Sequence, residues 1–204
     1  MSRSSVSIVH YTFGKNYKST MLYHSFLCTD KHIIIATLAD VAALLLLLNG
    51  AYRGESSKKG WTNEAHLIDG DVRTDQVSLK EVLEKSESVL LKYENDNRNI
   101  IGCVNLQRYK NDIYLGMLAV NPMEQGNGIG KKLLKAAEEY TLNAHCHSIH
   151  MTVISVRTEL IDWYKRNGYI DTCVRKPFIE DGRSGRHLQQ LEFTVLKKVL
   201  KTNK

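Results

Sequence analysis

Hydrophobic and polar positions change their spacing several times along the chain. Three strand-like stretches, at 88–93, 100–109 and 113–120, are separated by short polar segments. Short polar turns between strands predict an antiparallel meander. The third stretch is apolar at nearly every position, so we expect it to lie in the centre of a sheet, with both faces covered.

The segments on either side of this meander read as helices and further strands. Helices are predicted at 38–48, 63–68, 79–85, 131–140 and 158–166, and further strands at 31–35, 148–154, 169–174 and 188–196. Asn49-Gly50 is expected to end the first long helix, and Ser78 begins a capping box that starts the third. The strand at 148–154 is expected to return beside 113–120, which gives a right-handed parallel β-α-β unit.

The most informative stretch joins the central strand to the helix that follows it. Gly126, Gly128 and Gly130 lie just before this helix and Lys131 begins it; we call residues 125–131 the glycine loop. Glycine permits a positive φ and leaves the backbone amides uncovered. The first N–H groups of a helix lack partners within it, and the helix dipole adds positive charge there. The glycine loop is therefore a candidate site for a phosphate or diphosphate.

Two common phosphate-binding motifs do not fit the glycine loop. A Walker A motif requires a glycine where Gln125 stands and a hydroxyl where Lys132 stands. A dinucleotide-binding fingerprint requires its third glycine one residue later than Gly130. Neither nucleotide-binding class is predicted.

The pattern that fits is Q/R-x-x-G-x-G/A, met by Gln125, Gly128 and Gly130. With Val120-Asn121-Pro122 before it and Leu133-Leu134 after it, the stretch resembles the diphosphate loop of the GNAT superfamily of acyl-CoA N-acyltransferases. The family's second signature is an aromatic-Tyr-x-x-x-Gly-aromatic helix end. Residues 163–169, WYKRNGY, are similar to it.

The two signatures occur in the family's order, so the resemblance covers about residues 31–204. It implies an α/β (α+β) GNAT fold: a mixed central sheet of about six to seven strands, with a splayed parallel pair and flanking helices. The chain is long enough for one such domain and too short for two ordinary ones. Residues 1–30 are expected to form a loosely ordered N-terminal extension.

The resemblance implies acetyl-CoA as co-substrate and no metal. The diphosphate would contact the glycine loop, namely Gln125, Gly126, Asn127, Gly128, Ile129, Gly130 and Lys131. The thioester arm would lie between the strands at 113–120 and 148–154, whose splayed backbone groups need partners. Its main-chain contacts would come from Leu118, Ala119 and Val120. Arg157 stands where the family often has an asparagine, and could reach a CoA phosphate or an acidic acceptor.

By the same resemblance, Tyr164 is placed where the family has its general-acid tyrosine. Unperturbed phenol and thiol side chains have pKa values of about 10 and 8.5, so proton transfer to a departing thiolate is uphill by only about 2 kcal/mol. Read without the resemblance, Tyr164 is an aromatic side chain that packs in a helix face with Leu160 and Ile161.

The acceptor side of the site is less defined by sequence. The polar segment at 53–71 makes Glu55, Trp61 and Glu64 acceptor-site candidates by resemblance; the alternative is a surface loop anchored by Trp61. The strand at 113–120 lacks the glutamate that many family members place there. Glu55, Glu64 or His150, acting through water, are candidates for the general base.

The function implied is transfer of an acetyl group from acetyl-CoA to a primary amine by direct attack on the thioester. A small-molecule acceptor is favoured because no accessory domain for holding a protein is evident. A protein N-terminus or lysine is the alternative acceptor. The missing strand glutamate keeps open a second class, a non-catalytic acyl-CoA-binding or sensor module. A monomer or a homodimer is expected.

Charge and composition change this picture little. The net charge is +6 and the pI about 9.1, but no arginine-rich block with interleaved aromatics predicts nucleic-acid binding. The C-terminal lysines supply much of the positive excess, and a basic protein suits a cofactor such as CoA that carries several phosphate charges. The longest apolar run, 41–48, is far short of the roughly 20 residues that span a membrane, so no membrane partner is expected.

The cysteines and histidines suggest no special chemistry. The four cysteines show no C-x-x-C spacing, which favours free thiols in a reducing, cytoplasmic setting. Residues 1–29 lack acidic residues, a weak similarity to an organellar transit peptide. The histidines at 145–150 lack a second ligand pair at finger spacing, so a polar turn is favoured over a metal site.

Overall fold

The computed structural model describes residue 26, residues 28–180 and residues 185–201 of the chain. The strands are β1 (Ile33–Ile35), β2 (Ile68–Asp69), β3 (Ser88–Glu94), β4 (Ile100–Tyr109), β5 (Asp112–Val120), β6 (Ser148–Ile154), β7 (Ile170–Pro177), β8 (Arg186–His187) and β9 (Glu192–Val199). The α-helices are α1 (Val41–Tyr52), α2 (Gln76–Glu84), α3 (Ile129–Asn143) and α4 (Thr158–Arg166). Short 3₁₀ helices lie at Leu38–Asp40, Glu55–Lys59 and Pro122–Glu124.

Seven strands form one mixed sheet in the order β1-β3-β4-β5-β6-β9-β7, and β2 and β8 form a separate pair. Strands β3, β4 and β5 make the predicted antiparallel meander, and β5 is the central strand as expected. Among the strands that the structure describes, only β5 and β6 pair in parallel. The predicted α/β class, its strand number and its parallel unit are confirmed.

The parallel pair is joined at one end only. Residues 112–114 of β5 pair with residues 148–150 of β6, and the two strands continue beyond this point without pairing. A bulge in β5 lies opposite β4 in the same region, and Met117 there has a φ of 50°. Bulges bend a strand and increase its local twist. The strands therefore diverge, and their facing edges are left open in the middle of the sheet.

Helices cover both faces of the sheet because neighbouring strand residues point to opposite sides. Leu91 and Val104 pack with α3 on one face. The adjacent residues Leu90 and Cys103 pack with α1 and α2 on the other. The sheet thus has a hydrophobic core on each side, and the start of α3 packs into one of them through Ile129.

The first long helix does not end at Asn49-Gly50 as predicted but continues to Tyr52. The Asn49 side chain instead accepts the N–H groups of Arg73 and Thr74 and donates to the Thr74 carbonyl. A Cβ on Gly50 would lie 3.0 Å from the Ser56 hydroxyl oxygen, so the glycine allows a close approach there. Asn49 and Gly50 thus have the local sequence of a helix end, but in the structure both make tertiary contacts and the helix continues past them.

Asn49→Ala is expected to lower the free energy of unfolding by about 2–3 kcal/mol, because three hydrogen bonds of about 1 kcal/mol each are lost. Urea denaturation followed by circular dichroism measures this change. Asn97→Ala, in an exposed turn, is the control and should stay within about 0.5 kcal/mol of the parent. Equal, small effects of both substitutions would contradict the bracing role of Asn49.

Three other boundary predictions were wrong. Residues 63–67 form a turn instead of a helix, and Thr62 uses its side chain to contact Arg157 and Glu159. Helix α2 begins at Gln76 because Asp75 caps it by accepting the Ser78 N–H. The last strand starts only at Glu192. The residues before it turn away, and Leu191 is buried in a small separate cluster.

Part of the predicted N-terminal extension contacts the domain. The Phe26 ring packs edge-on against Tyr140 of α3, with centroids 5.4 Å apart. The Cys28 thiol and the Thr29 N–H both donate to the Glu139 carboxylate. Residues 1–25 and 27 lie outside the described residues, so a loosely ordered extension remains a prediction. Among the residues described, no helix is both long and apolar enough to cross a membrane.

Candidate functional site

A cavity of about 730 Å³ opens where β5 and β6 diverge, bounded by α4, by the start of α3 and by the segment that follows α1. The predicted site residues that line it are Trp61, Glu64, Leu118, Ala119, Val120, Gln125, Gly126, Gly128, Ile129, Gly130, Lys131, Arg157 and Tyr164. Glu55 and Asn127 are not part of the lining. The structure thus brings most of the candidates from distant parts of the sequence around one space.

The start of α3 presents uncovered backbone amides to this cavity. Gly128 is the N-cap residue with a φ of 78°, and no side chain caps the helix. The first backbone bond runs from the Lys132 N–H to the Gly128 carbonyl, so the N–H groups of residues 129–131 have no partner within the helix. A Cβ added at Gly126 or Gly128 would meet nothing within 4 Å. The site has the space and the donors that a diphosphate needs.

The two lysines after the glycines have different surroundings. Lys131 lines the cavity. The Lys132 ammonium instead donates to the Tyr93 hydroxyl at 3.0 Å and pairs with Asp30 at 3.4 Å. Of these two lysines, only Lys131 is therefore available to add positive charge at the cavity.

Gln125 holds the glycine loop to the segment after α1. Its Oε1 accepts the Trp61 N–H at 3.0 Å, and its Nε2 donates to the Val120 carbonyl at 3.3 Å. The Trp61 ring lies 6.4 Å from the Trp163 ring and is about half exposed. The Asn127 side chain is exposed and contacts Glu124 at 3.4 Å. The Gln125 side chain thus positions the loop, and Asn127 can contribute to the cavity only through its main chain.

The open edge of β5 is organised by a residue that the sequence analysis missed. The Tyr52 hydroxyl donates to the Leu118 carbonyl at 3.0 Å, next to the bulge. Ala119 pairs with Cys103 of β4. Tyr52 is the last residue of α1, beyond the predicted end of that helix, and no local signal links it to Leu118. A contact between residues 66 positions apart emerges only from the fold.

Tyr164 is a buried tyrosine whose side chain borders the cavity. It is 5% exposed, and its ring packs edge-on against Trp163 and Tyr169. Burial raises the pKa of Tyr164 well above its usual value of 10. Within the described residues, no group forms a hydrogen bond with its hydroxyl. The phenol is thus neutral at physiological pH and has a proton to donate.

Glu64 is a buried carboxylate surrounded by arginines. Its side chain is 8% exposed and lies 3.2 Å from Arg157 Nη1 and 3.4 Å from Arg53 Nη2. Arg73 Nε is 4.0 Å from the same carboxylate. Each of the two Glu64 carboxylate oxygens is thus paired with a guanidinium group. Glu64 is therefore better explained as a counter-ion than as a base.

The other two base candidates lie away from the cavity. The Glu55 side chain is 86% exposed and pairs with Lys58. His150 is half-buried beside Tyr114, and burial lowers its pKa. Neither Glu55 nor His150 is among the lining residues. All of β5 lies in the described part of the chain. No free carboxylate at its splayed edge replaces the glutamate that many family members place on this strand.

Comparison with known proteins agrees with this geometry. The sequence profile of the acetyltransferase (GNAT) family matches residues 55–169, more than half of the chain. The protein therefore belongs to the GNAT family of acetyltransferases. No curated protein sequence matches the chain.

Solved structures show the same fold at low sequence identity. Ribosomal-protein-alanine N-acetyltransferase from Brucella melitensis is 20% identical with a TM-score of 0.62, over 82% of this chain and 99% of that one. The ribosomal-protein-S18-alanine N-acetyltransferase from Escherichia coli is 10% identical with a TM-score of 0.62, over 84% and 95%. The structure of yncA from Salmonella typhimurium with its cofactor acetyl-CoA is 20% identical with a TM-score of 0.61, over 84% and 95%.

Proposed function

We propose that the protein is an N-acetyltransferase that transfers the acetyl group of acetyl-CoA to a primary amine of a small molecule. One observation carries this proposal. The uncapped start of α3 and the side chain of Tyr164 border the same cavity, which lies at the open edge between β5 and β6. One cavity thus connects a candidate diphosphate site to a candidate proton donor, and the unpaired edge of β5 lies along it.

The residues present fit acetyl-CoA. The amides of residues 129–131 would hold its diphosphate, with charge added by Lys131. The unpaired edge of β5 would hold its amide-rich arm, because exposed strand groups bond well to an extended chain. When bound, acetyl-CoA supplies an acetyl thioester whose C–S bond breaks as the C–N bond to the amine forms. One structural relative contains acetyl-CoA, which supports this assignment.

The chain's own residues would assist three events. A backbone N–H in the segment 118–120 would donate to the thioester carbonyl oxygen as negative charge develops there. The Tyr164 hydroxyl would give its proton to the departing thiolate. The attacking amine would lose its proton to water in the cavity, because Glu64 is already paired with Arg53 and Arg157.

The proposal is tested by incubating the purified protein with acetyl-CoA and a panel of amines, with free thiol and product mass as readouts. The panel includes small amines, amino acids, and peptides with a free N-terminus or a lysine. We expect amine-dependent thiol release above the rate without amine, fastest with a small molecule. Tight CoA binding without thiol release from any amine would instead identify a non-catalytic acyl-CoA-binding module.

A further inference from the structure

The open edge of β5 turns the polar groups of two residues towards the cavity. The Asn121 N–H donates to the Ile101 carbonyl of β4, so the polar groups of Asn121 face that strand. Successive residues of a strand direct their N–H and C=O groups to opposite sides. The polar groups of Leu118 and Val120 therefore point away from β4, towards the edge that β6 leaves unpaired.

Both carbonyl groups on this edge already have a side chain as hydrogen-bond donor. The Tyr52 hydroxyl donates to the Leu118 carbonyl at 3.0 Å, and Gln125 Nε2 donates to the Val120 carbonyl at 3.3 Å. In the register of the described strands, β6 supplies no partner for the N–H groups of Leu118 and Val120. The edge that lines the cavity therefore presents mainly donors, because its acceptors are capped by the protein itself.

Tyr52 makes its bond close to the candidate proton donor. Its ring packs beneath Arg73, with the guanidinium carbon 5.3 Å from the ring centroid. Burial raises the pKa of Tyr52, so its hydroxyl is a neutral donor at physiological pH. The pKa of Tyr164 is raised first by burial and next by its proximity to Tyr52. Since both tyrosines also line the cavity, they are near neighbours at the place where the acyl group would lie.

We propose that Tyr52 is a positioning residue for acyl transfer: by donating to the Leu118 carbonyl, it makes the open edge of β5 a surface of hydrogen-bond donors for the acyl carbonyl. This inference rests on the proposed N-acetyltransferase function. Negative charge develops on the thioester oxygen during attack, and an uncapped main-chain carbonyl beside it opposes that charge. The Tyr52 O–H offsets the negative partial charge of the Leu118 oxygen. Tyr52 thus assists the backbone N–H groups without itself touching the reacting atoms.

Tyr52→Phe tests this role, because it removes the hydroxyl and keeps the ring that packs beneath Arg73. We expect kcat to fall about tenfold, with the Kd for acetyl-CoA within about twofold of the parent. The second readout is the infrared difference spectrum of the protein with acetyl-CoA labelled with ¹³C at the thioester carbonyl. In the parent, N–H donors should move the carbonyl stretch to lower wavenumber than in free acetyl-CoA. Tyr52→Phe should lose part of that shift.

Thr172→Val is the matched control. The Thr172 hydroxyl also donates to a strand carbonyl, that of Val195 at 2.8 Å, but Thr172 does not line the cavity. This variant should keep the parental kcat and carbonyl stretch. A parental stretch in Tyr52→Phe would overturn the inference at any value of kcat. An unchanged kcat, or a large loss of acetyl-CoA affinity that marks a structural role, would do the same. The spectrum requires no acceptor, whereas absence of thiol release with every amine would overturn the proposed function itself.

Discussion

Tyr164→Phe is expected to lower kcat by about 10²- to 10⁴-fold while leaving the affinity for CoA unchanged. The phenol borders the cavity, is buried, and has a raised pKa, so it enters the reaction as a neutral proton donor. Loss of a positioned general acid typically costs this much. Its removal leaves the departing thiolate without a proton source, whereas the diphosphate contacts lie elsewhere, at the start of α3.

Tyr169→Phe is the matched control for this substitution. Its hydroxyl is also buried, has no hydrogen-bond partner among the described residues and has a raised pKa, yet Tyr169 does not line the cavity. We expect this variant to keep kcat within a few-fold of the parent. Thermal unfolding and CoA titration should accompany both rate measurements. If Tyr164→Phe changed only stability and left kcat intact, Tyr164 would be a packing residue.

The pH dependence of the rate gives a related expectation. Burial raises the pKa of Tyr164 above 10, so the protonated, donating form persists to higher pH than an exposed phenol allows. The amine acceptor becomes more reactive as it loses its proton. kcat should therefore rise with pH and show no decline below about pH 10. A decline between about pH 8 and pH 9 would show that a more acidic group is the proton donor.

The parts of the site that could be predicted from sequence are those encoded within short stretches. The glycine loop requires positive φ at Gly126 and Gly128, and the structure has it there. Residues 148–154 and 158–166 have the predicted bounds because their apolar spacing is unambiguous. The parallel return of β6 beside β5 follows from the helix between them, which leaves few other connections.

The parts that could not be predicted depend on partners far apart in sequence. The polar segment around Glu64 predicts a free acid at the acceptor site. In the structure Arg157, 93 positions away, pairs with Glu64 and makes it a counter-ion. Asn49-Gly50 has the local signature of a helix end, but contacts to Arg73 and Thr74 override it. In both cases the polar side chain, Glu64 or Asn49, bonds to residues far away in the sequence, which the local pattern does not reveal.

Gly128→Asp is expected to weaken acetyl-CoA binding by at least about 100-fold. Gly128 is the N-cap of α3, so an aspartate there puts a carboxylate at the position of the expected diphosphate. Two like charges about 4 Å apart repel by about 4 kcal/mol at an effective dielectric constant of about 20, which corresponds to roughly a thousandfold. A Cβ at this position meets no atoms within 4 Å, so the cost to the fold is that of the positive φ and not of a steric clash.

Gly128→Asn separates this electrostatic effect from backbone strain. Asparagine and aspartate have the same shape, and both tolerate the φ of 78° found at this position better than other side chains. Any cost of the positive φ is therefore shared, and only the charge differs. We expect the Asn variant to bind acetyl-CoA clearly more tightly than the Asp variant in calorimetric titration. Affinities that match the parent in both variants would show that the diphosphate is bound elsewhere. Equal and large losses in both would assign the effect to the backbone, because the charge would then make no difference.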